Sequence, residues 1–176
     1  MILVSKDIPQ LETFKKCLNL KNKIGLRRSG YTGKKNCYCV QFGDVALYKW
    51  LLKKGLSPNK TKRIGSLKIP HKYFFDFLRG HLDGDGCIRK YQDPIYKNSR
   101  RFYINFHAFS LKHLRWIRKT VKKILKINGY IRDGARVSIL TYAKKESLKL
   151  ISRLYYNNKV PCLRRKYRIA QPLLIK

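Results

Sequence analysis

Two aspartates separated by a glycine, Asp83 and Asp85, are the residues of this sequence best suited to chemistry. The residues before them recur at helical spacing and predict a helix with one apolar face, formed by Phe74, Phe77, Leu78 and Leu82. A carboxylate at the end of a helix faces the negative end of the helix dipole, which costs up to about 1 kcal/mol. We therefore expect a bound cation at this helix end, with Asp83 open between a structural and a site residue.

Two glycines of the same segment predict a packing surface. Gly80 and Gly84 lie four residues apart and therefore share one face of the helix. Because neither position carries a side chain, the backbone of another helix can approach closely there. We expect Gly80 and Gly84 to be helix-packing residues.

The stretch FLRGHLDGDG resembles the signature helix of the LAGLIDADG homing endonucleases. The positions that match the pattern are Leu78, Gly80, Asp83, Gly84, Asp85 and Gly86, whereas Arg79 and His81 replace small or apolar residues. The resemblance implies that two such helices pack together and that the last acid of each binds a divalent metal beside the scissile phosphates. An ordinary helix closed by an Asp-Gly turn is the alternative.

The resemblance also implies a set of catalytic residues. Asp85, with the backbone carbonyl of Gly84, would hold Mg²⁺ or another divalent cation. The metal would activate a water molecule and stabilise charge on the leaving oxygen. Lys166 and, in the first half of the chain, Lys62 or Lys60 resemble basic residues that the family keeps near the phosphates, where they would offset transition-state charge. The alternative for each lysine is a solvated surface residue.

The charge of the chain indicates a polyanionic partner. Its 176 residues include 42 Lys and Arg but 9 Asp and Glu, which gives a formal net charge of +33. Such a molecule repels itself strongly unless a polyanion neutralises it, and nucleic acid is the first candidate. Because 44% of the residues are hydrophobic and 12% are aromatic, the chain can form a core, which excludes a disordered basic tail.

The sequence predicts an intracellular protein. No apolar run approaches the roughly 18 residues that cross a bilayer, so we expect no membrane partner. We expect a cytoplasmic or nucleoid location, with an organelle compartment left open. The five cysteines are odd in number and include no CxxC pair, which favours free thiols in a reducing compartment.

Hydrophobic periodicity and turn residues predict alternating strands and helices. In the first part of the chain we expect a strand at 2–5, a helix through 19, strands at 23–28 and 36–42 joined by a turn at 29–33, a helix at 45–54 and a basic connection at 56–70. In the second part we expect the signature helix from 71, strands at 87–92 and 101–109 joined by a loop with Asp93 and Pro94, a helix at 111–126, strands near 130–132 and 136–140, a helix at 143–156 and a basic tail.

An internal repeat relates the two parts of the chain. Ser5, Leu11, Phe14, Leu18, Leu20 and Ile24 align with Ser110, Leu114, Ile117, Leu125, Ile127 and Ile131. The repeat indicates a pseudo-two-fold, and the resemblance implies an α+β fold of the LAGLIDADG type, with αββαββα halves and a curved antiparallel sheet that binds nucleic acid. Residues 1–70 form an incomplete first half without its signature helix, and residues 71–176 form a complete second half with the signature helix at 71–86.

The strand RFYINFHAF alternates between an apolar and a polar face. The polar face carries Arg101, Tyr103, Asn105 and His107, and arginine and asparagine can pair with guanine and adenine edges in the major groove. Further basic residues on the other predicted strands complete the expected nucleic-acid surface, namely Arg27, Arg28, Arg89, Lys90, Arg132 and Arg136. An ordinary half-buried strand is the alternative, which the charge of +33 makes the weaker one.

The resemblance implies a metal-dependent, site-specific DNA endonuclease of the homing type, encoded within a mobile intron or similar element and acting on long duplex target sites. With one acidic motif, the second carboxylate has to come from a homodimer or from a complementing N-terminal segment. The alternative is a catalytically inactive nucleic-acid-binding protein of the same fold, such as an intron RNA splicing cofactor (maturase). A basic structural protein would also tolerate the charge, but it gives no reason for two aspartates at a helix end.

Overall fold

The computed structural model describes residues 1–28, 33, 36–92, 95 and 100–174. The turn predicted at 29–33, apart from Gly33, and the loop predicted at Asp93 and Pro94 lie outside these ranges. Most of the predicted elements form close to their expected bounds.

The first part of the chain contains β1 (Ile2–Ser5), α1 (Ile8–Cys17), β2 (Ile24–Arg27), β3 (Cys37–Gln41) and α2 (Val45–Lys53). The second part contains a 3-10 turn (His71–Tyr73), α3 (Phe74–Asp85), β4 (Gly86–Gln92), β5 (Arg100–Ala108), α4 (Leu111–Leu125), β6 (Tyr130–Asp133), β7 (Ser138–Ala143), α5 (Lys144–Leu154), α6 (Arg164–Ala170) and a closing 3-10 turn (Gln171–Leu173).

Two elements differ from the sequence prediction. The strand expected at 136–140 is β7, Ser138–Ala143, because Leu140 and Tyr142 are the apolar residues that the core takes up. The segment expected to be a basic tail contains α6, Arg164–Ala170. Its pattern is too short and too rich in lysine and arginine to show an apolar face in sequence, although Ala170 is fully buried.

The two sheets have matching topologies and confirm the internal repeat. The first sheet has the strand order β1-β3-β2 and the second has the order β4-β5-β7-β6, both antiparallel. Without β4, the second sheet has the order β5-β7-β6, which corresponds strand by strand to β1-β3-β2 in the first sheet. The helices agree as well, since α1 follows β1 as α4 follows β5, and α2 follows β3 as α5 follows β7. Within the described residues, the first part has no counterpart of α3 and β4; the boundary at residue 70 stays a prediction.

The main core lies between the second sheet and helices α3, α4 and α5. Its fully buried side chains include Leu78, Leu82, Ile104, Phe106, Leu114, Leu140 and Ile151. The core of the first part is much smaller, with Leu11, Val40 and Phe42 as its buried residues. Beside it an apolar cavity of about 630 Å³ opens between β1, α1 and α2, with Trp50 53% exposed at its edge.

The connection before α3 is attached to the N-terminus of α4. The hydroxyl group of Ser110, the N-cap of α4, donates to the carbonyl of Ile64, and Nδ1 of His113 lies 2.8 Å from the carbonyl of Gly65. On the other side, Arg165 forms an ion pair of 2.9 Å with Asp7 just before α1. These contacts position the first sheet beside the second.

The five cysteines are free thiols, as expected. None of the helices in the described part of the chain is long and apolar enough to cross a membrane.

Candidate functional site

Asp85 is the last residue of α3, and its side chain is exposed to a cavity of about 730 Å³. The cavity is lined by α3, by the end of β5 and by the connection before α3, with His81, His107 and Lys60 among its residues. No hydrogen bond or ion pair joins the Asp85 carboxylate to another residue of the described ranges. The sequence predicts a carboxylate that holds a cation at this helix end, and the structure places the Asp85 side chain there, exposed at the cavity.

The backbone at Asp85 is held by the adjacent strand. Nδ1 of His107, on β5, lies 2.7 Å from the carbonyl oxygen of Asp85. The next residue, Gly86, opens β4 and pairs with Phe106. The expected role of His107 at the nucleic-acid surface is thus combined with a structural one, because one of its ring nitrogens positions the Asp85 backbone.

Lys166 occupies a different place from the one predicted for it. Its side chain is 4% exposed, and its ammonium group donates to the carbonyls of Leu82, Asp83 and Gly86 at 2.5, 2.9 and 2.7 Å. These carbonyls belong to the C-terminal end of α3, where a cation is favoured by the helix dipole. Lys166 is therefore a positioning residue for the end of α3 and not a lysine free to contact phosphates.

Burial and charge act on the pKa of Lys166 in the same direction. Removal of the ammonium group from water lowers the pKa of Lys166, and repulsion from Arg165 lowers it further, while Asp83 opposes both. Lys166 thus supplies positive charge beside the buried Asp83 carboxyl, whereas no ion pair joins Asp85 to another residue of the described ranges.

Asp83 is buried, which answers the question that the sequence left open. One carboxylate oxygen, Oδ2, accepts a hydrogen bond of 2.8 Å from the backbone of Leu163, and the other has no partner in the described structure. Burial raises the pKa of the Asp83 carboxyl, against the lowering effects of the Leu163 amide and Lys166. Asp83 connects α3 to the segment before α6, and Asp85 alone of the two acids reaches solvent.

The two residues that depart from the signature pattern have structural explanations. Arg79 is 4% exposed and donates to the carbonyls of Pro161 and Leu154 and to Asp76, which attaches α3 to the segment between α5 and α6. His81 packs against Phe106, and its Nδ1 atom is buried without a partner.

The stability of the protein is expected to depend on pH through His81. Burial lowers the pKa of His81 to about 4, with repulsion from His113 next in size. As the pH falls, His81 binds a proton in the unfolded state before it does so in the folded state, because the ordinary pKa of histidine is 6.5. The stability contributed by neutral His81 is therefore complete above that value and is lost as the pH falls towards 4.

Urea unfolding at about pH 7 and about pH 4.5 measures this loss, which we expect to be roughly 2 to 3 kcal/mol larger in wild type than in His81→Gln. Exposed His71 provides the control, and His71→Gln should keep the wild-type pH dependence. An unchanged pH dependence in His81→Gln would contradict the assignment.

The end of α3 requires glycine at position 86. A Cβ atom there would lie 2.6 Å from Cα and 2.7 Å from the carbonyl oxygen of Leu82. We expect Gly86→Ala to lower the free energy of unfolding by roughly 1 to 3 kcal/mol, measured by urea titration. Gly84→Ala is the matched control, because nothing lies within 4 Å of its Cβ position, and alanine favours a helix by roughly 0.5 to 1 kcal/mol. Equal destabilisation by the two variants would argue against the steric explanation.

The packing surface predicted at Gly80 and Gly84 has no occupant in the described chain. Both glycines are exposed, and no side chain or neighbouring element lies within 4 Å of either Cβ position. This face of α3 opens onto the same cavity as Asp85. The described residues contain one helix of this kind, so packing at Gly80 and Gly84 stays a prediction that needs a helix from a second copy or from another segment.

The strand register identifies the residues that share the exposed face of the second sheet. Directly paired residues of an antiparallel sheet project from the same face. That face carries Arg89, Tyr91, Arg101, Tyr103, Asn105, His107, Tyr130, Arg132 and Thr141. Most of the predicted nucleic-acid surface on β4, β5 and β6 is therefore brought together.

Several predicted site residues lie elsewhere. Lys90 pairs with Phe102, on the core side of the sheet, because neighbouring residues of a strand alternate between faces. Asn105 is 3% exposed, and its Oδ1 accepts a hydrogen bond of 2.9 Å from Thr141, so it forms the floor of the surface and not a projecting contact. Lys62 is exposed in the connection before α3, and Lys60 is the lysine that lines the cavity with Asp85.

The remaining basic residues are exposed at the edges of the sheets. Arg27 ends β2 in the first sheet, paired with Cys37, and Arg28 follows it. Arg136 lies between β6 and β7. The sequence analysis missed Tyr91 and Tyr130, although the alternation of β4 places Tyr91 on the same face as Arg89.

One signature-type helix ending in an exposed carboxylate, beside two antiparallel sheets of matching order, defines a duplicated α+β fold. The I-WcaI homing endonuclease bound to its DNA recognition sequence is similar, with a TM-score of 0.64 and 11% identity over 95% of this chain and 73% of that one. Mesophilic variants from the homing endonuclease I-DmoI give a TM-score of 0.59 and 15% identity over 97% and 82%. The N-terminal LAGLIDADG domain of DUF199/WhiA gives 0.56 and 16% over 90% and 72%.

The chain has the LAGLIDADG fold, with its pseudo-two-fold arrangement of halves. Neither the protein-family models nor the curated protein sequences give a match to this sequence. The likeness is therefore carried by the structure, at sequence identities of 11% to 16%.

Proposed function

We propose that this protein is a metal-dependent DNA endonuclease that cleaves duplex DNA through Asp85. The observation that carries the proposal is the exposed Asp85 carboxylate, without an ion-pair or hydrogen-bond partner in the described structure, at the end of α3. A solubilising role does not explain this carboxylate, because the chain already has a net charge of +33. The helix dipole also disfavours a negative charge at the C-terminal end of a helix. Such a group is suited to hold a cation next to bound phosphates.

The residues present fit a magnesium ion. Mg²⁺ keeps several water ligands and is bound in nucleic-acid-processing sites by one or two carboxylates together with substrate phosphates. Asp85 and the backbone carbonyl of Gly84 would hold it. No three His, Cys, Asp or Glu side chains converge in the described ranges, so the other ligands would be water and phosphate oxygens. When bound, the metal supplies an activated water and stabilises charge on the leaving oxygen.

The protein groups around this position have separate tasks. Lys166 and His107 hold the backbone of α3 and the start of β4, which keeps the carboxylate at the cavity. Lys60 lines the same cavity and is the lysine best placed to offset phosphate charge. The exposed face of the second sheet, with Arg89 and Arg132, would contact the duplex.

Cleavage of both strands needs a second carboxylate. We propose that it comes from a second copy or from a complementing segment whose helix packs on the open face of α3 at Gly80 and Gly84. A single copy would then nick one strand.

The first experiment measures cleavage of a long genomic DNA pool in Mg²⁺ and in EDTA, followed by sequencing of the ends produced. Ends that recur at one sequence, depend on Mg²⁺ and disappear in Asp85→Asn would support the nuclease. The second candidate, an inactive splicing cofactor, is favoured by the single acidic helix on a strongly basic fold. Tight binding of structured RNA without any DNA cleavage would select it instead.

A further inference from the structure

The exposed face of the second sheet carries an aromatic pair that duplex reading does not require. Tyr91 on β4 and Tyr103 on β5 lie with their ring centroids 5.6 Å apart and their planes within 3° of parallel. Tyr91 is 44% exposed, and a third tyrosine, Tyr130 on β6, is 47% exposed on the same face. Aromatic rings that lie together on an exposed face, as these do, mark interaction sites, because each tyrosine offers an apolar ring with a polar tip.

These rings surround a small recess. Its volume is about 220 Å³, and it is lined by Arg89, Tyr91, Tyr103, Asn105, Tyr130, Arg132 and Thr141. The hydrogen bond from Thr141 to Oδ1 of Asn105 forms a polar floor and fixes the orientation of the amide. Because sites for drug-sized ligands measure roughly 300 to 1,000 Å³, this recess suits a single planar group better than a larger molecule.

The charges around the recess favour an anionic chain. Arg89 and Arg132 are exposed at its border, and Arg101 hydrogen-bonds to the hydroxyl groups of both stacked tyrosines. The hydrogen bond between the two hydroxyl groups raises the pKa of Tyr91 and lowers the pKa of Tyr103. Aromatic faces next to arginine side chains are the combination that holds a base and its phosphate together.

Whether the recess suits a paired or an unpaired base depends on which part of the base an aromatic ring can contact. In a duplex the faces of the bases are covered by their neighbours, and a protein in the major groove reads base edges with extended polar side chains. An aromatic side chain gains binding energy by stacking only on a base that is not paired and stacked in a helix.

We propose that the Tyr91–Tyr103–Tyr130 recess binds an unpaired base of a single-stranded nucleic acid. The site is separate from Asp85 and uses no metal. It therefore goes beyond the proposed cleavage of duplex DNA, and it serves equally in a nuclease or in an inactive binding protein.

The test is binding of fluorescein-labelled oligonucleotides of about 12 residues, measured by anisotropy in EDTA at about 150 mM salt. The probes are single-stranded RNA, single-stranded DNA of the same sequence, and the corresponding DNA duplex. Tyr91→Ala is expected to weaken binding of at least one single strand by about 5- to 100-fold. Duplex binding should fall by a clearly smaller factor, because this face meets a duplex through its arginine contacts and no base face is open to the ring. The single strand, RNA or DNA, whose binding affinity falls more in Tyr91→Ala is the nucleic acid that supplies the base.

Two variants complete the design. Tyr91→Phe keeps the ring and should bind within about twofold of wild type, which separates stacking from the hydroxyl contact. Tyr48→Ala removes a tyrosine of similar exposure, 41%, in α2 and should leave all three probes unaffected. An equal loss on single strands and duplex in Tyr91→Ala, or no loss on either, overturns the proposal. Because every measurement is made without metal, neither result bears on cleavage by Asp85.

Discussion

Replacement of Asp85 by asparagine is expected to reduce DNA cleavage by at least about 100-fold while DNA binding stays within about twofold of wild type. Asparagine has the shape of aspartate but lacks the charge that a divalent cation requires. Because the side chain is exposed and has no partner among the described residues, its replacement should not disturb the fold. The measurement is single-turnover cleavage in Mg²⁺ on a site identified from the mapped ends, with binding followed separately in EDTA.

The matched control for Asp85→Asn is Glu12→Gln, which neutralises an exposed carboxylate on α1. This variant should cleave at the wild-type rate, so a loss in both variants would indicate a general effect of charge. Cleavage by Asp85→Asn at the wild-type rate would remove Asp85 from the reaction. If neither wild type nor variant cuts any DNA, the inactive binding protein becomes the better description.

Replacement of Lys166 by methionine is expected to lower the free energy of unfolding by about 2 to 4 kcal/mol. Methionine fills a similar volume but leaves the carbonyls of Leu82, Asp83 and Gly86 without their donor. It also removes the positive charge that opposes the desolvation of Asp83. Urea unfolding followed by far-ultraviolet circular dichroism measures the loss, and the end of α3 should lose its order first.

Lys149→Met provides the comparison, since Lys149 is exposed on α5, and we expect a change within about 0.5 kcal/mol. A loss below about 1 kcal/mol in Lys166→Met would show that water replaces the ammonium group at the helix end. Under conditions where Lys166→Met stays folded, its cleavage should also fall, because the backbone that carries Asp85 is no longer held.

The prediction that α3 ends in a carboxylate succeeded because it depends on the spacing of residues that are neighbours in the sequence. The spacing of Phe74, Leu78 and Leu82 sets one apolar face, and α3 buries these three side chains. The glycine after Asp85 marks the end of the helix, and a Cβ atom at Gly86 would clash with the backbone of Leu82. The internal repeat was visible for the same reason, since each half repeats its own strand and helix periods.

The burial of Lys166 could not be predicted because its partners lie far away in sequence. Lys166 stands in a run of basic residues, and nothing within that run distinguishes it from its exposed neighbours Arg164 and Arg165. Its three acceptors are 80 or more residues earlier in the chain. Asn105 is similar, because its burial depends on Thr141 of β7.

The sequence by itself determined the order of strands and helices up to α5, the duplicated fold, the basic character of the surface and the acidic residue that ends α3. These follow from periodicity and turn chemistry, which are properties of neighbouring residues. The tertiary structure decided which polar side chains are buried and which face each solvent-exposed one joins. It separated Asp83 from Asp85, made Lys166 a helix cap and brought three tyrosines together, because burial depends on contacts between elements that are distant along the chain.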